Sequence, residues 1–332
     1  VFHRRGYFLD AVEAACGPVQ EVRIRHLARW FTVREVFRLA RWLQHEHIDI
    51  LHAWDADAAI FGQFAARRAG VRFVTSRRDL GQIYPTFKLA LMRRADRVAT
   101  RVVANAAAVR DHFVRQGLPV DKMEVIPNLL DAEELDRAAQ APFSDAARLP
   151  SGRRLAVVNR LDPEKHTDLL VAALPLVRRA VPDAVLVVVG DGPEMSALRA
   201  QAAALGVAEA VVFLGESMEV AALLRQCEIG ALVPGRNEGL SNTILEYMAA
   251  SLPVLATDCG GNRELVREGE TGRLVPATST PATLAATWID LLQHPEQSRV
   301  MGQRGRAQAL RDHAPASVLD RFCRFYEQVA SA

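Results

Sequence analysis

The segment Pro234-Gly235-Arg236-Asn237-Glu238-Gly239-Leu240-Ser241-Asn242-Thr243-Ile244-Leu245-Glu246 follows the apolar run Ile229–Val233 and reads as a strand, a glycine-containing loop and the opening of a helix. That order leaves free backbone N–H groups and the positive end of the helix dipole at the carboxyl edge of a sheet, where an anion binds. Ser241 or Asn242 is suited to cap the helix. Glu246, four residues beyond Asn242, lies on roughly the same helix face and is expected to reach the same cleft as Glu238. Carboxylates repel phosphate but accept hydrogen bonds from sugar hydroxyls. A second segment, Asn159-Arg160-Leu161-Asp162-Pro163-Glu164-Lys165-His166-Thr167-Asp168, follows the apolar run Leu155–Val158. If both runs are parallel strands of one sheet, both loops emerge at the same edge, and Arg160 and Lys165 join the backbone N–H groups around one anion.

These loops need a scaffold of βα units, and the chain supplies one. Short β-branched runs alternate with longer amphipathic stretches, the pattern of a parallel sheet. Strands are expected at Val71–Thr75, Val102–Ala104 and Glu124–Ile126, and then at Leu155–Val158, Ala184–Val189, Val211–Leu214, Ile229–Val233, Val254–Thr257 and Gly272–Val275. Helices are expected at Val33–His45, Ala56–Ala69, Ala107–Gln116, Asp168–Ala180, Met195–Leu205, Ile244–Ala250 and Pro281–Gln293, with a last one over Ala316–Ala332. The fold class is therefore α/β, with two doubly wound, Rossmann-like domains. Gln140–Arg153, punctuated by Pro142, Pro150 and Gly152, is the expected linker. It divides the chain into 1–145, 146–310 and a C-terminal helix, 311–332, that can pack back toward the first domain.

With these elements in place, the sequence resembles glycosyltransferase family 4, whose fold is the two-domain GT-B architecture with a cleft between the domains. Glu238 and Glu246 match the family's E-x7-E pattern, and Arg160-Leu161 with Lys165 match its R-L-x-x-x-K element. Further matches are the turn Gly190-Asp191-Gly192-Pro193, the run Val125-Ile126-Pro127-Asn128, and Pro253-Val254-Leu255-Ala256-Thr257-Asp258-Cys259-Gly260-Gly261. The resemblance covers nearly everything from about residue 45 onward. It implies a metal-independent, retaining hexosyltransferase that moves a sugar from a nucleoside diphosphate donor to an acceptor hydroxyl in polysaccharide or glycolipid synthesis. It also implies that Arg160 and Lys165 hold the donor diphosphate and that Glu246 takes the ribose hydroxyls. Glu238 with the backbone of Gly239, Leu240, Ser241 and Asn242 would take the transferred sugar, while Gly190 and the Glu216–Met218 loop, with Ser217 and Met218, flank the base. The nucleotide-sugar is a substrate and no cofactor is implied. The alternatives are an inactive nucleotide-sugar-binding subunit, or an epimerase or hydrolase of the same fold.

Two departures from the family pattern stand out. No counterpart of its first strand and Gly-rich loop is found, and Val1–Leu27 reads as the second βα region onward. An exposed edge or gap is then expected in the N-terminal sheet near Leu51–Trp54 and Val71–Ser76. The family's usual histidine, in a T-x-H-D-like strand end, aligns with Thr75-Ser76-Arg77-Arg78-Asp79, so Arg78 stands where the imidazole would be. Arginine cannot act as a base, but it can hold a phosphate or an acidic acceptor. Arg77 and Arg78 read equally well as exposed loop charges.

Composition narrows the class further. The chain has 332 residues, half of them hydrophobic and 24% charged, enough for a large core. No apolar run is long enough to span a bilayer and no secretion signal is evident, so a cytoplasmic location is expected, with peripheral contact at the inner face of a membrane. The formal charge of +2 divides into +8 for residues 1–130 and −6 for the rest, and a basic N-terminal half suits an anionic lipid surface or a lipid-linked or glycan acceptor. The basic residues are scattered without a groove-reading motif, which argues against nucleic acid. Gly190-Asp191-Gly192 is no dinucleotide fingerprint, because Met195 stands where the third glycine belongs. Cys16, Cys227, Cys259 and Cys323 lack metal or redox spacing and are expected to be buried thiols. His45 and His47 read as helix-end residues rather than ligands, and no metal site is expected.

Overall fold

The computed structural model of the protein describes residues 8–22 and 30–331. In the N-terminal domain, helices α1 (Leu9–Cys16) and α2 (Trp30–His45) precede β1 (Ile50–Ala53), α3 (Ala56–Ala69), β2 (Arg72–Arg77), α4 (Thr86–Val98), β3 (Arg101–Ala104), α5 (Ala107–Arg115) and β4 (Met123–Val125). The short α6 (Ala132–Ala139) follows. The C-terminal domain contains β5 (Arg153–Val158), α7 (Thr167–Ala180), β6 (Ala184–Val189), α8 (Met195–Ala204), β7 (Val211–Gly215), α9 (Val220–Leu224), β8 (Ile229–Leu232), α10 (Asn242–Ala249), β9 (Val254–Asp258), α11 (Asn262–Leu265), β10 (Gly272–Pro276), α12 (Pro281–Gln293) and α13 (Pro295–Asp312). The last helix is α14 (Pro315–Ser331).

Two parallel sheets result, β1-β2-β3-β4 and β10-β9-β8-β5-β6-β7. Parallel strands need crossover connections, and the helices that make them cover the sheet faces and force the strands to be apolar. Strand β6, Ala-Val-Leu-Val-Val-Val, is buried along its whole length. Trp288 of α12 and Leu170 and Leu174 of α7 belong to the same core as alternate residues of β5 and β6.

Strand β1 was not among the expected strands. It pairs with β2 in register Ile50 to Arg72 and, among the described residues, with no other strand. The open edge expected around Leu51–Trp54 is therefore seen at β1, but Val71–Ser76 does not share it. β2 is an interior strand paired on both sides, because β3 occupies its other edge. Residues 1–7 and 23–29, much of the segment expected to begin at a second βα unit, lie outside the described residues.

The chain passes between domains twice, and the two passages touch. The Leu130 N–H donates to the His313 carbonyl at 2.8 Å, and His313 Nδ1 lies 2.8 Å from the Asn128 carbonyl. Beyond the second passage, Val318, Phe325 and Val329 of α14 bury against Val74, Val103 and Ile126 of the N-terminal sheet. Helix α6 lies before the Gln140–Arg153 stretch yet packs on α9 and α10, with Asp136 paired to Arg306 of α13. The prolines and glycine thus mark the turn into β5, while the crossing itself lies nearer Asn128. At the other end, α13 continues to Asp312, two residues past the expected boundary. Of the cysteines, Cys227 and Cys259 are buried but Cys16 and Cys323 are exposed, since both sit on outward faces of terminal helices.

Candidate functional site

The order of the second sheet places β5 beside β8, with the chain winding outward in opposite directions from that pair. Such a switch point opens a crevice at the carboxyl ends of the strands. The loops after β5 and β8 lie side by side there, joined by the Gly235 N–H to the Glu164 carbonyl at 3.0 Å. A Cβ at Gly235 would stand 2.3 Å from the His166 ring, so the loops meet only because that side chain is missing. Beneath them lies the turn after β6. Gly190 has φ +125°, and a Cβ there would stand 1.9 Å from the Asn159 carbonyl oxygen, so only glycine fits. The Leu161 N–H donates to the Asp191 carbonyl at 2.9 Å, fixing the loop that carries Arg160.

The cations are placed as follows. Lys165 Nζ donates to Glu238 Oε2 at 2.8 Å, with both side chains largely covered. Arg160 pairs with Asp162 and is 71% exposed. Helix α10 begins at Ser241, whose Oγ accepts from the Ile244 N–H at 3.3 Å. The Leu240 side chain is buried, and its carbonyl faces the N-terminal domain, accepting from Asn128 Nδ2 at 2.8 Å. Asn242 Oδ1 accepts from the same Nδ2 at 2.7 Å. Arg160, Lys165, Glu238, Gly239, Ser241 and Asn242 line one compartment of about 420 Å³ together with Arg78, Asn105 and Asn128 from the other domain.

Glu246 does not line that compartment. With Gly190, Ser217 and Met218 it lines an adjoining one of about 680 Å³, and Asn159, Arg160 and Thr243 are common to both. The expectation that the two glutamates reach one cleft fails for a geometric reason. Glu238 precedes the N-cap, so helical spacing, which aligns Asn242 with Glu246, says nothing about it. Burial raises the Glu246 carboxyl above the usual range. Ser217 Oγ accepts from the Glu219 N–H at 3.1 Å, whereas Met218 is exposed at the mouth.

On the opposite wall, Arg77 is not a loop charge. It is buried against Asp96, Nε to Oδ2 at 3.0 Å and Nη2 to Oδ1 at 2.5 Å, with Thr75 Oγ1 donating to the same carboxylate at 2.8 Å. Arg78, the next residue, turns into the cleft, and its Nη2 donates to Asn128 Oδ1 at 2.9 Å. Desolvation lowers the Arg78 pKa without discharging a group whose ordinary value is 12.5. A Cβ at Gly239 would stand 1.9 Å from the Arg78 carbonyl oxygen and 3.0 Å from Asn105 Oδ1, so glycine lets the two walls meet.

Three residues of this wall were not singled out by sequence reasoning. Asn128 joins Arg78 to Leu240 and Asn242 through its side chain and to His313 through its carbonyl. Asn105, only 4% exposed, has an Oδ1 without a hydrogen-bond partner. An unmet buried acceptor costs about 1–3 kcal/mol. His52 bonds Ser76 Oγ through Nε2 at 2.8 Å and the Tyr326 hydroxyl through Nδ1 at 2.7 Å, and it stacks on Trp54 with ring centroids 4.3 Å apart. Burial pulls its pKa down to about 4. The available signal was position, since Asn105 follows an apolar strand at its carboxyl end as Asn159 does.

Comparison with known proteins follows from this geometry. The family model for glycosyltransferase family 4 matches residues 2–134, and that for glycosyl transferases group 1 matches residues 145–308. A GDP-mannose-dependent alpha-(1-6)-phosphatidylinositol monomannoside mannosyltransferase of Mycolicibacterium smegmatis is 35% identical over 283 residues, 80% of this chain and 73% of that one. A phosphatidyl-myo-inositol mannosyltransferase of Mycobacterium leprae is 30% identical over 302 residues, 89% and 77% of the two chains. Among solved structures, Anabaena HepE in complex with UDP-glucose superposes with a TM-score of 0.84 at 21% identity, covering 97% of this chain and 89% of that one. A glycosyltransferase from Rickettsia africae gives 0.82 at 17%, covering 98% and 88%.

Proposed function

The chain belongs to glycosyltransferase family 4, with the GT-B fold and a nucleotide-sugar donor, and from that premise we propose that it transfers mannose from GDP-mannose to a phosphoinositol glycolipid. The observation that carries this reading is the cationic compartment between the domains, where Lys165, Arg160 and the first turn of α10 face Arg78 across one cavity. The relatives at 35% and 30% identity, named for GDP-mannose and for phosphatidylinositol acceptors, supply the donor and acceptor classes.

The chemistry follows from the charges. Departure of a nucleoside diphosphate builds negative charge on the leaving oxygens, and fixed positive groups in a shielded site stabilise it. Lys165 has three N–H donors and gives one to Glu238, which leaves two for phosphate oxygens while holding the carboxylate toward the sugar hydroxyls. Side chains and the helix N-terminus provide this stabilisation, so the reaction is proposed to need no divalent ion. The ribose would lie against Glu246, with Ser217, Met218 and Gly190 around the base. The acceptor hydroxyl attacks from the face the diphosphate leaves, with retention at the anomeric carbon and no covalent enzyme intermediate.

We further propose that the enzyme works at an anionic membrane face. Helix α2 exposes Val33, Phe37 and Trp42 beside Arg34, Arg38 and Arg41, an apolar stripe flanked by cations. Among the described residues no helix is long and apolar enough to cross a membrane. Cosedimentation with phosphatidylglycerol vesicles but not phosphatidylcholine vesicles, lost at high salt, is the expected result.

A thermal-shift panel of GDP-, UDP- and ADP-sugars tests the donor. At about 100 times its dissociation constant the true donor stabilises by about 2.7 kcal/mol. GDP-mannose should give the largest shift, and a flat response to every sugar nucleotide would refute the donor site.

A further inference from the structure

A cavity of about 250 Å³ on the N-terminal wall joins the cationic compartment through Arg78, Asn105, Asn128 and Asn242, which line both. Its outer wall is aromatic, with Trp54 and Phe322 tilted at 47° and their centroids 5.7 Å apart. Trp54 remains 46% exposed although its ring is pinned by the His52 stack, itself held by Ser76 and Tyr326. An immobilised, half-exposed indole at the mouth of a pocket that narrows to a few polar groups is the build of a small-molecule site. At its inner end lie the Arg78 guanidinium, which uses Nη2 on Asn128, and Asn105, whose buried Oδ1 has no donor. That oxygen sits at the seam with Gly239, beside the donor sugar's expected position.

We propose that this pocket is the acceptor subsite and that it takes a phosphorylated cyclic polyol. The ring's C–H face packs on Trp54, the phosphate meets Arg78, and the hydroxyl that receives the sugar donates to Asn105 Oδ1. Each part answers an observed feature. A flat apolar wall suits the axial hydrogens of a ring, a planar cation suits a phosphate, and an orphaned acceptor suits a hydroxyl. The contribution of α14 through Phe322 makes the C-terminal helix part of acceptor recognition. The proposal rests on the reading that donor and acceptor meet in this cleft, and it specifies what the acceptor side recognises.

Calorimetric titration of the whole chain, saturated with GDP, with myo-inositol 1-phosphate, myo-inositol and inorganic phosphate tests it. The phosphorylated ring should bind at least tenfold more tightly than either fragment. Trp54→Ala and Asn105→Ala should each weaken it about tenfold while leaving GDP affinity within twofold of wild type. Trp54→Phe, which keeps an aromatic wall, should recover most of the loss and so separates stacking from packing damage. Vesicles containing phosphatidylinositol, compared with the soluble head group, tell a lipid-borne ligand from a free one, and a Trp54-dependent response to either supports the site. Binding of inositol phosphate no tighter than inorganic phosphate in a chain that takes GDP would overturn the polyol class. Unchanged affinity in both alanine variants would overturn the location. Failure to bind GDP at all would instead overturn the donor reading beneath it.

Discussion

On the C-terminal wall the cleft is shaped mainly by backbone: Gly190, Gly235 and Gly239 allow loops to close on one another, and the α10 N-terminus presents its amides. The N-terminal wall is shaped by buried polar side chains, among them Thr75, Ser76, Arg77, Asp96 and Asn105. Backbone recognition suits a ligand whose diphosphate is always the same. A side-chain lattice fixes an individual shape, and each of its members needs a partner. The N-terminal wall should therefore be the more fragile and the more pH-sensitive of the two, and the C-terminal wall the more tolerant.

The sharpest test of that contrast is Asp96→Ala. It leaves Arg77 charged and buried and removes the acceptor of Thr75, so a loss of about 3–5 kcal/mol is expected, measured by urea unfolding. A loss below 1 kcal/mol would mean the lattice is not what holds this wall. On the C-terminal wall, Lys165→Ala or Arg160→Ala should leave the fold intact and weaken GDP binding by about ten- to a hundredfold, the equivalent of about 1.5–3 kcal/mol for a charge-assisted contact. Guanosine, which lacks phosphates, should be affected much less. Equal losses for both ligands would show general damage.

The third test is acidification. His52 is held neutral at a pKa of about 4 against 6.5 for an ordinary histidine, so the unfolded chain binds the extra proton first. Its contribution to stability is complete above pH 6.5 and is lost as the pH falls toward 4. Between pH 7 and pH 5 the wild type should lose about 2 kcal/mol from this group. Buried His313 acts in the same direction, whereas the raised Glu246 acts in the opposite one. The His52 share is therefore read as the difference between wild type and His52→Gln, and identical pH profiles would dismiss it. The smallest expected effect belongs to EDTA, which should leave GDP-mannose affinity unchanged within twofold by calorimetry. A loss that magnesium restores would move the positive charge from Lys165 and Arg160 to an ion.

Most of this fold is legible in the alternation of apolar strands with amphipathic helices, and Ala56–Ala69 and Pro281–Gln293 form helices over the ranges their patterns predict. The unread elements hide their period. In β1 the pleat of Ile50-Leu51-His52-Ala53 is obscured by a histidine turned inward to Ser76 and Tyr326. Helix α13 is rich in charge and contains Gly302, which reads as a breaker. Its missing side chain is what lets the helix lie against Ser251, whose carbonyl oxygen would be 1.9 Å from a Cβ. In the site, the cations and glycine turns are readable because each loop is local. Asn128 is not, because its partners Leu240 and His313 lie 112 and 185 residues along the chain.

Asn128 also carries a mechanical consequence. The two passages of chain between the domains lie together at Asn128, Leu130 and His313, so any rotation of one domain against the other turns about that pair. Its side chain grips Arg78 of one domain and Leu240 and Asn242 of the other. The axle of the molecule is thus bolted to the floor of its cleft. Opening cannot leave the site assembled on either half, since the partners of one amide are carried apart by the same turn. A ligand that replaces those grips with its own, reaching from Arg78 to the helix beyond Asn242, acts as a wedge or a clamp at the pivot, where a small displacement swings the whole of each domain.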